Sequence, residues 1–460
     1  MAFTLYHARV WRLAGPLIVS NISVAVLGMV DTGVVGHLAT PSYLGAVAVG
    51  AVIFDFLYWG TGFLRMGTTG VVAQIHGRGD PHEMRSSLLQ AGTVALVIAV
   101  LFLLLQSPIA SLGLYLIGGS ESVRHYARIY FDWAIWGAPA VLSGMAITGW
   151  LLGMQNAGAT LTMAVITNII NVVLDFLFVF GLDMNVRGVA LASVLAQYTG
   201  MGVGLVLVWR ELGLHPGEWR RRLILDGRRF RSTLALKRNI FIRTLCIIFT
   251  FAFFTRQGAM QGDLVLAANA ILINFLLLTS LGLDGFANAA EAMVGKAIGA
   301  GERGSFLSAV RSAGFWSLIV ALGFTLFFAL FGTSLINLIT DLDKVRTVAY
   351  RYLPWMVVLP LIARGVTLGW VSYRIEHAGG FVPRRSSSSV FNRRRWRISS
   401  LRSRLVGRPR DWGMPALFAL SCSASIRRAL MLSSCSAYRP AAAAADPRDS
   451  VTASTVTVRL

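Results

Sequence analysis

Long, almost uncharged apolar runs succeed one another along most of the chain, and they constrain its fold more than any other feature. Broken by Gly, Pro or charge, they fall near 13–38, 44–72, 88–117, 126–152, 159–182, 188–210, 239–258, 264–292, 306–338 and 346–363. A bilayer core takes roughly 20 helical residues to cross, so all ten approach or exceed the length of a span, the last being short. In hydrocarbon every backbone N–H and C=O needs a partner within the protein, which leaves helices and closed barrels. The runs lack the alternating period of barrel strands, so the expected fold class is all-α, a polytopic helical membrane protein. Composition agrees: 14% of the 460 residues are charged, against about 25% in a soluble domain. The first run is longer than a signal-peptide core and has no clear cleavage site.

The net charge of +21 is unevenly placed. Residues 1–363 carry 25 Lys and Arg against 17 Asp and Glu, and residues 364–460 carry 17 against 4. Within the body, basic residues gather in the loops after even-numbered runs, at Arg78 and Arg85, along 220–238, and at Lys296 and Arg303. By the positive-inside rule those loops and the N-terminus are expected to be cytoplasmic. The arginine cluster of 211–238 fits a cytoplasmic anchor beside anionic lipid, not a nucleic-acid site. Cys246, Cys422 and Cys435 have no metal-ligand spacing. No nucleophile-and-base constellation stands out, so no enzyme activity, metal or cofactor is expected.

Sliding the chain against itself by 222 residues superimposes Gly36 on Gly258, Leu44 on Leu266, Ala46 on Ala268, Gly60 on Gly282, Gly77 on Gly299, Gly79 on Gly301 and Asp80 on Glu302. Six spans per repeat make each half enter from the same side, so the halves are related by an axis along the membrane normal. Such halves enclose a cavity and rock against one another, which favours a transporter over a channel or a membrane enzyme. The expected divisions are an N-terminal six-helix lobe (1–210), a basic cytoplasmic connector (211–238), a C-terminal lobe reduced to about four helices (239–363) and an Arg-, Ser- and Ala-rich tail (364–460). The repeat forecasts two further helices near 381–404 and 410–432. The first window contains eight arginines, each costing about 2.5 to 3.5 kcal/mol at a helix centre, and cannot insert as an ordinary span. The last two helices are therefore expected to be missing or scrambled, with the tail disordered or out of frame.

Ionisable residues inside apolar helices mark cavities, because a charge facing lipid is costly. Asp31 lies in the first run, about 27 Å from its cytoplasmic start, and Asp175 in the fifth at about 24 Å. Asn168, Asn171 and Asp175 stand at i, i+3 and i+7, a polar stripe on one helix face. The two carboxyl groups fall at similar depth in one half and are expected to share a cavity. Burial penalises the charged form of a carboxyl group, so such a site exchanges protons and switches local charge by one unit. Asp55 with Arg65 in the second run, and Asp284 with Glu291 in the eighth, are candidates for pairing, cavity lining or gating. Met29, Met66, Met145 and Met163 with Phe54, Trp59 and Trp150 offer an adaptable surface for flat cations, with lipid contact or packing as the plainer alternative.

The run PLIVSN with VDTGVVGHL (Pro16, Asn21, Asp31, Gly36), the fifth-run NVVLD (Asn171, Asp175) and the eighth-run LDGFANAAEAMVGKAIG resemble the multidrug and toxic compound extrusion (MATE) transporters. Within them the match is closest to the bacterial DinF-like branch. The resemblance covers about residues 8–363. It implies two six-helix lobes in the inner membrane and efflux of cationic or amphipathic small molecules in exchange for H⁺ or Na⁺. It also implies a cation-coupling site at Asp31 and Asp175 with Asn171 beside them, in a monomer embedded in lipid. The seventh run lacks a Glu, which disfavours the sodium site of another branch, so H⁺ is the expected coupling ion. After Ala363 the family pattern is lost. Gly369 to Arg374 can be encoded so that a one-nucleotide shift restores a family-like Asp-Gly-Phe-Leu-Ile-Gly. The alternatives are a flippase for lipid-linked or other amphiphilic substrates and a non-transporting remnant.

Overall fold

The computed structural model describes residues 2–36, 41–118, 120–219 and 227–378. Among them the regular elements are all helical: α1 (Ala2–Gly36), α2 (Pro41–Thr61), α3 (Phe63–Arg78), α4 (Pro81–Leu104), α5 (Gln106–Ile117), α6 (Glu121–Ala134), α7 (Ala138–Gly153), α8 (Ala157–Asp175), α9 (Asn185–Leu214), α10 (Gly227–Met260), α11 (Asp263–Gly299), α12 (Arg303–Ile339) and α13 (Asp343–Ala378). Nine helical stretches among the described residues are long and apolar enough to cross a membrane. They correspond to the first nine runs of the sequence, so the chain is a multi-pass membrane protein. Several spans are broken helices. Gly62 separates α2 from α3 within Ser42–Arg78, a tight turn at Ile135–Gly137 joins α6 to α7, and α8 ends in a wider π turn over Phe176–Gly181.

The tenth run differs from its expectation. Residues 346–363 are helical within α13, but that helix is not among the nine. Arg346 and Arg351 lower its hydropathy, and Pro354 and Pro360 lie inside it. Arg346 is tied to the aqueous edge by ion pairs with Asp341 (2.9 Å) and Asp343 (3.5 Å). The helical backbone continues past Ala363 to Ala378. The windows 381–404 and 410–432, and the tail beyond, lie outside the described residues.

Caps chosen by the sequence start several helices. Asp80 precedes Pro81, and its carboxylate accepts from His82 N at 2.9 Å and Glu83 N at 3.1 Å, satisfying donors that the first helical turn leaves open. Asn156 accepts from Ala159 N at 3.0 Å to start α8. Arg85 is buried and donates to the carbonyls of Leu212 (2.9 Å) and His215 (2.6 Å), closing the C-terminal end of α9. The repeat reappears in the backbone. Gly79 and Gly301 both adopt left-handed φ, 71° and 73°. The next residues, Asp80 (φ −93°, ψ 101°) and Glu302 (φ −95°, ψ 96°), share one conformation.

The N-terminal half packs around Val34, Phe54, Phe131 and Ile135 at one end and Met84, Trp150 and Leu151 at the other. The C-terminal half packs around Leu272, Phe275, Phe328 and Leu353. α1 belongs to both halves. Its first part, Val10 to Leu17, is buried against Phe286, Ala290 and Met293 of α11 and Ala309 and Ala313 of α12. Its last part, Val34 and Val35, packs within the N-terminal half. Lipid gives no hydrophobic drive between helices, and this seam is rich in Ala because small residues let helices approach closely enough for dispersion contact.

Candidate functional site

The fold brings α1 against α8, and this contact assembles the polar groups that the sequence scatters over 150 residues. Asp31 is half-buried and Asp175 is fully buried at 0% exposure. The two carboxyl groups lie within interaction distance of one another where α1 meets α8. Asn171, one turn before Asp175, donates from Nδ2 to Asp175 Oδ2 at 2.9 Å. One oxygen of each acid, Asp31 Oδ1 and Asp175 Oδ1, is buried without a hydrogen-bond partner. Asp175 is the last residue of α8 before the π turn, a kind of helix irregularity frequent at functional sites.

Asn168 stands apart from the pair. Its Nδ2 donates to Ser23 Oγ at 3.0 Å, two turns closer to the basic end of α1, so it ties α8 to α1 instead of touching a carboxyl group. The helical stripe places Asn168, Asn171 and Asp175 on one face, but α1 divides that face between Ser23 and Asp31.

Tyr130 was not among the residues expected at the site. This α6 residue is buried within electrostatic reach of Asp31, Asp175 and Asp55. Its ring fits because residue 50 is glycine; any Cβ there would collide with the Tyr130 ring carbons. A lone tyrosine in an apolar span carries no pattern that marks it, and only the arrival of α6 beside α1 and α8 makes it part of the site.

The other candidates separate. Asp55 is exposed on α2 and reaches Tyr130 electrostatically beside the Asp31 and Asp175 pair; of the alternatives expected for it, pairing with Arg65 is not formed among the described residues. Asp284 and Glu291, seven residues apart on α11, have different surroundings. Asp284 is exposed, whereas Glu291 is buried against α3, where a Cβ on Gly70 would come within 3.3 Å of Glu291 Oε1. Neither belongs to the Asp31 and Asp175 cluster. The expected methionine and aromatic surface is also dispersed. Trp150 is fully buried with Nε1 donating to Met84 O at 3.0 Å, Met145 and Met163 accept weak hydrogen bonds from Thr61 and Thr148, and Phe54 stacks on Phe131. Those four are packing residues of the N-terminal half. Met29 is exposed, and exposed Trp59 lies 5.9 Å from Phe251 of α10, across the boundary between halves.

The MatE family model matches residues 16–177 and 240–366, well over half of the chain. The chain belongs to the MatE family. DNA damage-inducible protein F of Escherichia coli is 43% identical over 365 residues, 79% of each chain. A probable multidrug resistance protein, NorM of Rhizobium meliloti, is 26% identical over 72% of this chain and 71% of its own. Among solved structures, the VcmN MATE transporter of Vibrio cholerae superposes with a TM-score of 0.73 at 19% identity, covering 94% of this chain and 98% of that one. The MatE chain is thus a transporter of the multidrug class and not an enzyme. Asp31, Asn171 and Asp175 all lie inside the matched segments or their helices, as do Asp55, Asp284 and Glu291.

Proposed function

We propose that this MatE protein is a proton-coupled antiporter that exports cationic or amphipathic compounds across the bacterial cytoplasmic membrane, with its N-terminus and basic loops in the cytoplasm. The observation that carries the reading is the facing pair Asp31 and Asp175. Two carboxyl groups side by side in a poorly hydrated site hold one proton between them more readily than two negative charges, because like charges disfavour ionising both. Asn171 donates to one oxygen of Asp175, and the unpartnered Oδ1 atoms of Asp31 and Asp175 are the places left for a proton. Loss of that proton puts two like charges side by side in a poorly hydrated site and drives α1 and α8 apart. Since α1 also packs on α11 and α12, its displacement is felt by the C-terminal half. A proton then shifts the equilibrium between two packings of the halves by its differential affinity for them, as exchange requires.

The test is ethidium export in proteoliposomes driven by a pH gradient. Asp31→Asn and Asp175→Asn are each expected to lower the gradient-driven rate at least about 10-fold, the loss of roughly 1.4 kcal/mol of coupling. Undiminished gradient-driven export by either variant would sink proton coupling at this pair.

A further inference from the structure

α3 and α11, the repeat-related helices that are followed by the left-handed Gly79 and Gly301, cross one another at their basic ends with almost no side chain between them. A Cβ added to Gly77 would fall on the carbonyl oxygen of Lys296 and lie 2.8 Å from Ala300 N. A Cβ added to Gly299 would fall on the carbonyl oxygen of Gln74. A Cβ added to Gly295 would come within 2.6 Å of Ala73 Cβ. Under the 222-residue offset, Gly77 corresponds to Gly299, Gln74 to Lys296 and Ala73 to Gly295. The contact is therefore its own image: each partner does to the other what is done to it, as at an isologous two-fold interface. A crossing on the pseudo-two-fold axis lies where a substrate path between the halves would have to run, and backbone against backbone leaves no room for water or solute. Lys296 adds a tie to the N-terminal half through Gln155 Oε1 at 3.4 Å.

We infer that this glycine crossing is the gate on the basic side of the protein: closed in the conformation described, and required to part before substrate enters from that side. The inference rests on the antiporter reading, but its geometry does not depend on the coupling ion. Because the gate is self-complementary, a side chain at Gly77 and one at Gly299 must have the same effect, each propping α3 off α11 and favouring the state open on the basic side.

The experiment uses the full chain with Cys246, Cys422 and Cys435 replaced by Ser, and spin labels on Arg78→Cys and Gly304→Cys, both exposed beside the gate. Gly77→Ala and Gly299→Ala are each expected to move the label-to-label distance distribution to longer values, with the open population raised about 10-fold and alike in the two variants. Gly323→Ala, where a Cβ meets open space, should leave the distribution unchanged. Parental distributions in both gate variants would overturn the inference. Should the alanine variants fail to accumulate, the Gln155→Cys and Lys296→Cys pair tests the gate with its glycines intact. A short cleavable bis-maleimide across that pair is expected to stop ethidium export and reduction to restore it; export at the parental rate after complete cross-linking overturns the inference. The distance shift in the gate variants, found together with a parental protein that exports nothing, would instead refute the antiporter reading and leave the gate standing.

Discussion

Asp175 shows what a single residue contributes and what its neighbours must supply. Its burial is possible because Asn171 donates to it from one turn away and because Asp31 meets it from another helix. The first partner was legible from spacing, since residues four apart share a helix face. The second was only plausible from matching depth. Tyr130 and Gly50 were not legible at all: glycine at 50 is required by the close approach of an aromatic ring from α6. Gly50→Val is expected to destabilise the protein by about 1 to 3 kcal/mol, the usual cost of overpacking, and to lower ethidium export by displacing Tyr130 from the acids. Thermal unfolding in detergent and export should fall together; a variant as stable and active as its parent would refute the packing argument.

Elements were the most legible scale, because an apolar run in lipid has one local solution. The first nine runs became spans with ends set by residues on the page: Asp80 with Pro81, Asn156, and the left-handed Gly79 and Gly301. Asp80→Ala removes a cap that accepts two backbone donors and is expected to cost about 1 kcal/mol, seen as a lowered unfolding temperature, whereas Asp80→Asn should cost less. The breaks inside spans were not legible. Nothing local distinguishes Gly62, where α2 gives way to α3, from Gly60 two residues earlier. Arg85 illustrates the same limit, since its basic character suggested a solvated topogenic charge and the fold buries it as a cap on α9. The tenth run shows the reverse: hydropathy diluted by two arginines still gives a helix, but not one of the nine apolar spans.

At the scale of the whole molecule, the halves meet through α1 and α3 on one side and α11 and α12 on the other, not through chain continuity. Expressed together as separate chains divided at Arg221, the two halves are therefore expected to copurify from membranes and to retain ethidium export within about 3-fold of the intact chain, the covalent link between them contributing effective concentration. Failure to copurify would show that the seam of Val10 to Leu17 with Phe286, Ala290 and Met293 is too weak to hold the halves.

The sequence by itself determined the helical class, nine of the ten spans expected from it, the 222-residue repeat and the family to which the chain belongs, because each depends on local hydropathy, on backbone satisfaction in lipid or on short motifs. Only the tertiary structure decided which faces meet. It joined Asp31 to Asp175 and turned Asn168 away to Ser23. It brought Tyr130 to the acids, exposed Asp284 while burying Glu291, and set Gly77 and Gly299 on one another's helices. Spacing along a helix fixes a face but not its partner, and the partner is chosen by close packing of residues hundreds of positions apart.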